Sequence, residues 1–294
     1  MRAGASHIHD RSHQASGVTL GRRTLLAGGL ATVAAALLPN RELVAAEVGE
    51  ADTSSQARAD ATRRLPLNDL TAETRRKIMA VVESPTIFRR LPHKSIDCDP
   101  EMHVFLVRNP EVVVNIWRVM GVANMTADRL GAYAWKGKDG TGTECDVELV
   151  YGTDELHVLY SDGLYEGPLL RNEITGRAVI VLRSAYAQGG DRRWQIRNQL
   201  DLFLQLDNAG LDLVARTLAP WVGKVADSNF HESCKFASKL SLTAEQNAPG
   251  MQRLAGKLTN CEQPVRDEFA RVSAGVEQRA ALRDVAGIQG PKQG

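Results

Sequence analysis

Residues 192–247, RRWQIRNQLDLFLQLDNAGLDLVARTLAPWVGKVADSNFHESCKFASKLSLTAEQN, decide the fold. In the first part apolar and polar residues alternate with period two. Trp194, Ile196, Leu200, Leu202, Leu204 and Leu206 share one face, while Gln195, Arg197, Gln199, Asp201 and Gln205 share the other. Asn198 is the one polar residue on the apolar face. After Asn208–Gly210 the period becomes helical, with Leu211, Val214, Leu218, Val222 and Val225 in a stripe that continues through Phe230, Cys234, Ala237 and Leu240–Leu242. Pro220 is expected to kink that helix, because it removes a backbone donor and clashes with the preceding turn. One long strand therefore runs into one long interrupted helix.

Upstream, residues 128–207 also read with period two. Segments 130–136, 144–151, 155–161, 164–171 and 177–187 are separated by turn-forming residues at 138–142, 152–154, 162–163, 175–176 and 189–191, which predicts an antiparallel meander. Parity turns Val147, Leu149 and Tyr151, and then Ile180, Leu182, Ser184 and Tyr186, toward the same side as the even residues of the last strand. Before the meander, residues 68–83 predict an amphipathic helix capped by Asn68 or Thr71 and stopped by Pro85. Residues 88–107 predict an extended arm leading into a first strand at 103–107. RNPEVVVNIWRVMG, residues 108–121, predicts a short helix with Asn109 as cap, Pro110 at the first position, Glu111 in the first turn and Gly121 beyond the end, placing Val113, Trp117 and Met120 on one face.

The chain ends differ in character. Residues 1–46 combine a polar start, the pair Arg22–Arg23 and the weakly apolar stretch LLAGGLATVAAALL, which is short and rich in Ala and Gly for a membrane span. GRRTLL at 21–26 resembles a twin-arginine (Tat) export signal, with Arg22 and Arg23 as its signal residues and Val44–Ala46 suited to cleavage. The expected location is outside the cytoplasm, periplasmic or extracellular in a bacterium; the alternative is retention by an uncleaved N-terminal anchor. Residues 47–66 have almost no large apolar side chain and predict a disordered linker. Residues 248–285 predict a C-terminal helical extension, and 286–294 a disordered tail. Cys98, Cys145, Cys234 and Cys261 permit either two disulfides or four free thiols.

With 36 Lys and Arg against 35 Asp and Glu, and no basic stripe interleaved with aromatics, nucleic acid is excluded as a partner.

The order of a strand, a short helix opening NPEVVVNIW (109–117), antiparallel strands and a long C-terminal helix resembles the START-like superfamily of lipid-transfer proteins and polyketide cyclases, also called helix-grip or SRPBCC. The resemblance spans residues 97–247 within an expected domain at 67–247, and it implies an α+β fold in which a curved antiparallel sheet wraps the last helix. It further implies a cavity between sheet and helix for a lipid or other apolar small molecule, with transient membrane contact. The residues themselves fit such a ligand site or, equally, a filled core: Trp117, Tyr151, Ser184, Tyr186, Trp194, Asn198 and Leu218 combine apolar bulk with a few polar handles.

Catalytic motifs are sparse. There is no Gly-x-Ser-x-Gly elbow, phosphate-cradling glycine loop or His-Glu-x-x-His motif, so hydrolase and kinase readings have no support. His93, Asp97, Cys98, Asp99 and His103 crowd one short arm, but their spacing matches no closed zinc site, and no metal or cofactor is expected. His157 and His231 read as isolated surface residues, and Glu144, Asp146 and Glu148 as the solvated face of a strand. Arg197 and Asp201 read as surface charges. The leading expectation is a binding protein for an apolar small molecule. The alternatives are a cyclase- or dehydratase-like enzyme in the same cavity, with Tyr151, Tyr186 and Asn198 orienting its substrate, and an interaction module with a filled core.

Overall fold

A computed structural model describes residues 50–166, 173–207, 210 and 218–288. The expected export segment, Leu211, Val214 and the last residues of the tail lie outside that set. The chain is α+β. An open, curved antiparallel sheet of eight strands carries helices on both faces, the longest of them near the C-terminus.

Helix α1 (Ser55–Arg63) falls within the expected linker and corrects it. Ser54 Oγ accepts the Ala57 N–H at 3.1 Å, and Ala57 and Ala61 are buried, so small residues suffice for a helix lying flat on the sheet. Helix α2 (Ala72–Val82) is the predicted amphipathic helix, with Thr71 as its cap and Ile78, Val81 and Val82 buried. Strands β1 (Ile87–Arg90) and β2 (Lys94–Asp97) form from the extended arm and both pair with the last strand.

The strand expected at 103–107 is instead part of helix α3 (Pro100–Arg108). Asp99 Oδ1 accepts the Glu101 and Met102 N–H groups, Pro100 occupies the first turn, and Met102, His103, Phe105 and Leu106 are buried at helical spacing. Cap chemistry thus outweighs the strand preference of the Val-Phe-Leu-Val run. Helix α4 (Pro110–Val119) forms as predicted, and Gly121 follows it with φ of 67°. Asn109, however, makes no cap bond: its Nδ2 donates to Phe105 O, and its Oδ1 accepts from Arg129. Met120 is exposed rather than sharing the buried face of Val113 and Trp117.

The meander comprises β3 (Thr126–Gly131), β4 (Ala134–Lys138), β5 (Thr143–Gly152), β6 (Leu156–Tyr165), β7 (Ile174–Gln188) and β8 (Trp194–Leu206). From one edge the order is β1-β8-β7-β6-β5-β4-β3, with β2 also on β8. The predicted strand 130–136 is a hairpin, turning between β3 and β4. The turns expected at 162–163 and 175–176 lie inside β6 and β7, where Gly163 faces Gly176. Gly163 is there for close approach rather than for turning, since a Cβ would lie 2.6 Å from both the Cys145 Cβ and the Glu144 carbonyl oxygen. Of the strand expected at 164–171, residues 164 and 165 end β6 and residues 167–172 lie outside the described set.

Helix α5 (Ala219–Gln246) crosses the inner face of the sheet, followed by α6 (Ala248–Lys257) and α7 (Gln263–Ile288). Pro220 is the second residue of α5, and residues 211–217, on the other side of the expected kink, lie outside the described set. On the inner face Ile196, Leu200, Leu202 and Leu204 of β8, Ile180 of β7 and Val147 of β5 join α3, α4 and α5 in the main core.

The outer face holds a second core that the sequence reading lacks. Phe88, Val158, Val179, Val181 and Phe203 meet Ala61, Leu70, Ile78 and Val81 from the N-terminal helices. Asp201 lies here and is fully buried, correcting its reading as a surface charge. Arg90 Nε and Arg183 Nη1 donate to its two oxygens at 2.7 and 2.6 Å, which makes the charge tolerable away from water. All four cysteines are free and buried. Among the described residues no helix is long and apolar enough to cross a membrane.

Candidate functional site

A polar cluster lies at one end of the inner face. Ser184 of β7 pairs across the ladder with Asn198 of β8, so both side chains project toward α3. Ser184 Oγ donates to Asn198 Oδ1 at 2.7 Å, and His103 Nε2 lies 3.1 Å from the same oxygen. An amide oxygen can only accept, so this pairing puts the His103 proton on Nε2 and leaves Nδ1 as acceptor. Nδ1 lies 3.0 Å from the Tyr186 hydroxyl, which is also 2.7 Å from the Asp154 carbonyl oxygen. The one tyrosine proton therefore serves two acceptors. Burial pulls the His103 pKa down to about 4, against the opposing Asn198 bond, and burial also raises the Tyr186 hydroxyl above its ordinary value. The group is neutral at pH 7.

His157 belongs to the same neighbourhood and is not on a surface, as the sequence reading had it. It is fully buried on β6, where Arg108 Nε donates to its Nε2 at 3.3 Å, and its Nδ1 has no partner among the described residues. Burial, and then the Arg108 charge, lower its pKa to about 3. Arg108 continues to the Asp154 carboxylate at 3.3 Å, tying the end of α3 to the β5–β6 turn.

Beside this polar group a cavity of about 110 Å³ opens between the sheet and α5. Its wall is almost wholly apolar: Leu106, Val113, Ile180, Leu182, Leu200, Phe230 and Phe236 contribute most of it, and His103, Asn198 and Ser233 are its polar members.

The residues expected to line a cavity separate into three groups. Asn198 lines it, with Ser184 and Tyr186 bonded to its polar wall. Trp117 and Leu218 are buried in the same core without reaching the cavity; the Trp117 ring packs edge-on against Phe236 at 5.4 Å, and its Nε1 has no partner among the described residues. Tyr151 and Trp194 lie elsewhere. A β-bulge after Leu149 puts two residues of β5 opposite one of β6, reversing parity, so Tyr151 packs on the outer core. Trp194 is 36% exposed, in a separate groove with Arg193 and Arg279.

His103 is the residue the sequence reading misplaced. The apolar pattern Met102, Phe105, Leu106 around it was the available signal, obscured by the Asp and Cys residues nearby. The metal-like arm is dispersed: His93 meets Gln199, Asp99 caps α3, and His103 points inward. Among the described residues no three His, Cys, Asp or Glu side chains are grouped to hold a metal ion. Glu144, Asp146 and Glu148 lie on the solvated face of β5, two of them facing Lys138 and Lys136.

No protein-family model matches the chain, and no curated protein matches it. Among solved structures, the hypothetical protein jhp0584 from Helicobacter pylori aligns at 13% identity over 52% of this chain and 89% of its own, with a TM-score of 0.34. The Mll3558 protein from Rhizobium loti aligns at 16% identity over 50% of this chain and 97% of its own, with a TM-score of 0.29.

Proposed function

We propose that this protein binds a small, largely apolar molecule in the cavity between the sheet and α5. The observation that carries this is a wall of aliphatic and aromatic side chains whose few polar members are neutral and already hydrogen-bonded within the protein. Such a wall offers a guest dispersion contact and water exclusion rather than charge. The element order, with two helices inserted before the meander and a long helix after it, supports placing the chain with the helix-grip proteins. The cavity size favours a compact guest, or one end of a longer one, over a whole lipid. Native mass spectrometry of the purified protein after exposure to a small-molecule extract should show a reproducible adduct, lost in Ala237→Phe, which fills the cavity. Protein that stays empty overturns the reading.

A second reading, turnover of the guest, is favoured by His103, a neutral imidazole in the wall with a tyrosine behind it. Exchange of solvent deuterium into a bound carbonyl compound, abolished in His103→Gln without loss of binding, is its test. Residues 1–46 support export by the twin-arginine route. Replacing Arg22 and Arg23 by Lys should leave the full-length precursor in the cytoplasmic fraction.

A further inference from the structure

The cavity has an outer neighbour. Ile96 and Cys234, which form part of its wall, also line a surface groove of about 390 Å³ between β2 and α5. That groove is basic. Lys94 comes from β2, and His231, Lys235 and Lys239 follow at four-residue intervals along α5, which stacks them on one helix face. Asp97 is the one carboxylate in its wall. Lys235 leans toward Glu232 at 3.8 Å, while among the described residues neither Lys94 nor Lys239 has an ion pair. The His231 ring, half-buried among them, has its pKa lowered first by burial and then by Lys94, with Lys235 adding to the effect. Glu232 lies 3.9 Å from the His231 ring as well, so Asp97 and Glu232 stand against Lys94, Lys235 and Lys239, leaving the groove with a positive surplus beside an uncharged cavity.

We infer that groove and cavity are two halves of one site for a small amphipathic carboxylate, its apolar end passing Ile96 and Cys234 into the cavity and its anionic head held by Lys94 and Lys239. This rests on the reading of the cavity as a ligand site and adds the charge of the ligand and its direction of entry. Size sets the scale: at about 110 Å³ the cavity is well below the roughly 300–1,000 Å³ of a pocket that encloses a whole ligand, so it takes one end of a short chain. A six-carbon acid then fits with its last carbons inside and its carboxylate outside. A longer acid would leave part of its chain in the groove, where Ile96 is the main apolar contact.

Hexanoate and 1-hexanol, which share a chain and differ in head charge, separate the possibilities when titrated into the full-length protein by calorimetry at low salt. Hexanoate should bind about tenfold tighter than the alcohol, a preference that shrinks toward parity near 1 M salt, where charges are screened within about 3 Å. The double variant Lys94→Gln, Lys239→Gln should lose the preference for hexanoate and keep the affinity for 1-hexanol, which also shows that it is folded. Equal binding of the two probes, or an unchanged preference in the double variant, overturns the carboxylate assignment while leaving the cavity reading intact. Binding of neither probe overturns both.

Discussion

Asn198 holds the inner polar group together, because its single carbonyl oxygen receives both Ser184 and His103. Replacing it by Ala would strand two buried partners, at a cost of about 1–3 kcal/mol each. The histidine adds a pH dependence whose sign follows from its depressed pKa. Unfolded, an imidazole titrates near 6.5; folded, His103 does so at about 4, so the unfolded chain binds more protons throughout that window. Stability is therefore fully present above pH 6.5 and lost as pH falls toward 4, by about 2 kcal/mol between pH 7 and 5 from this residue alone. His157 acts in the same direction down to about 3. Urea denaturation across that range should show the loss, and His103→Gln should flatten it; an equally steep variant would exclude His103 as its source.

Among the elements, α4 shows how a helix is fastened to a sheet through a buried charge. Glu111, 2% exposed, accepts from Arg129 Nε at 2.8 Å and from Trp135 Nε1 at 2.7 Å, while the guanidinium lies 5.2 Å from the center of the Trp135 ring. Burial raises the Glu111 pKa, and the Arg129 bonds oppose that rise. Arg129→Met should cost about 3–5 kcal/mol in calorimetric unfolding, because it leaves a buried carboxylate without its cation. Loss of less than about 1 kcal/mol would mean that water reaches Glu111. Sequence reading recovered α4 from Pro110 and Gly121, and the even face of β8 from its unbroken parity, since both signals are local. It lost Tyr151 to a bulge, which depends on pairing between strands and leaves no mark within one of them. It lost α3 to a four-residue apolar run that suits strand and helix equally, and there the deciding partner was the Asp99 cap.

At the scale of the molecule the sheet is covered on both faces, and the second cover explains why the odd face of β8 was misread. Gln195, Arg197, Gln199 and Gln205 are exposed or half-buried as alternation implies, but Asp201 and Phe203 sit under α1 and α2. A charge that is buried with two arginines looks, in sequence, like one in water. The cavity was legible only in outline: Asn198 stood out as a polar residue on an apolar face, whereas His103, Phe230 and Phe236 reach it from helices whose relative placement no local pattern encodes. Removing residues 50–83 should expose Val158, Val179, Val181 and Phe203 together, giving a chain that is insoluble or binds the dye ANS strongly. A soluble, cooperatively unfolding truncation would show that the outer core is dispensable.

The cap of α3 has a consequence in time. Asp99 starts the helix that carries His103, and its carboxylate is gripped by Arg279 at 2.7 and 2.9 Å, 180 residues later in the chain. At about 5–20 residues per second, some 10–40 s of synthesis separate the two partners. The sheet and its inner helices can therefore assemble before the clamp that secures the histidine-bearing helix exists. The pocket wall is among the last parts of the molecule to be fastened, and a ribosome stalled near residue 260 would hold a chain with its sheet complete and its site still open to rearrangement.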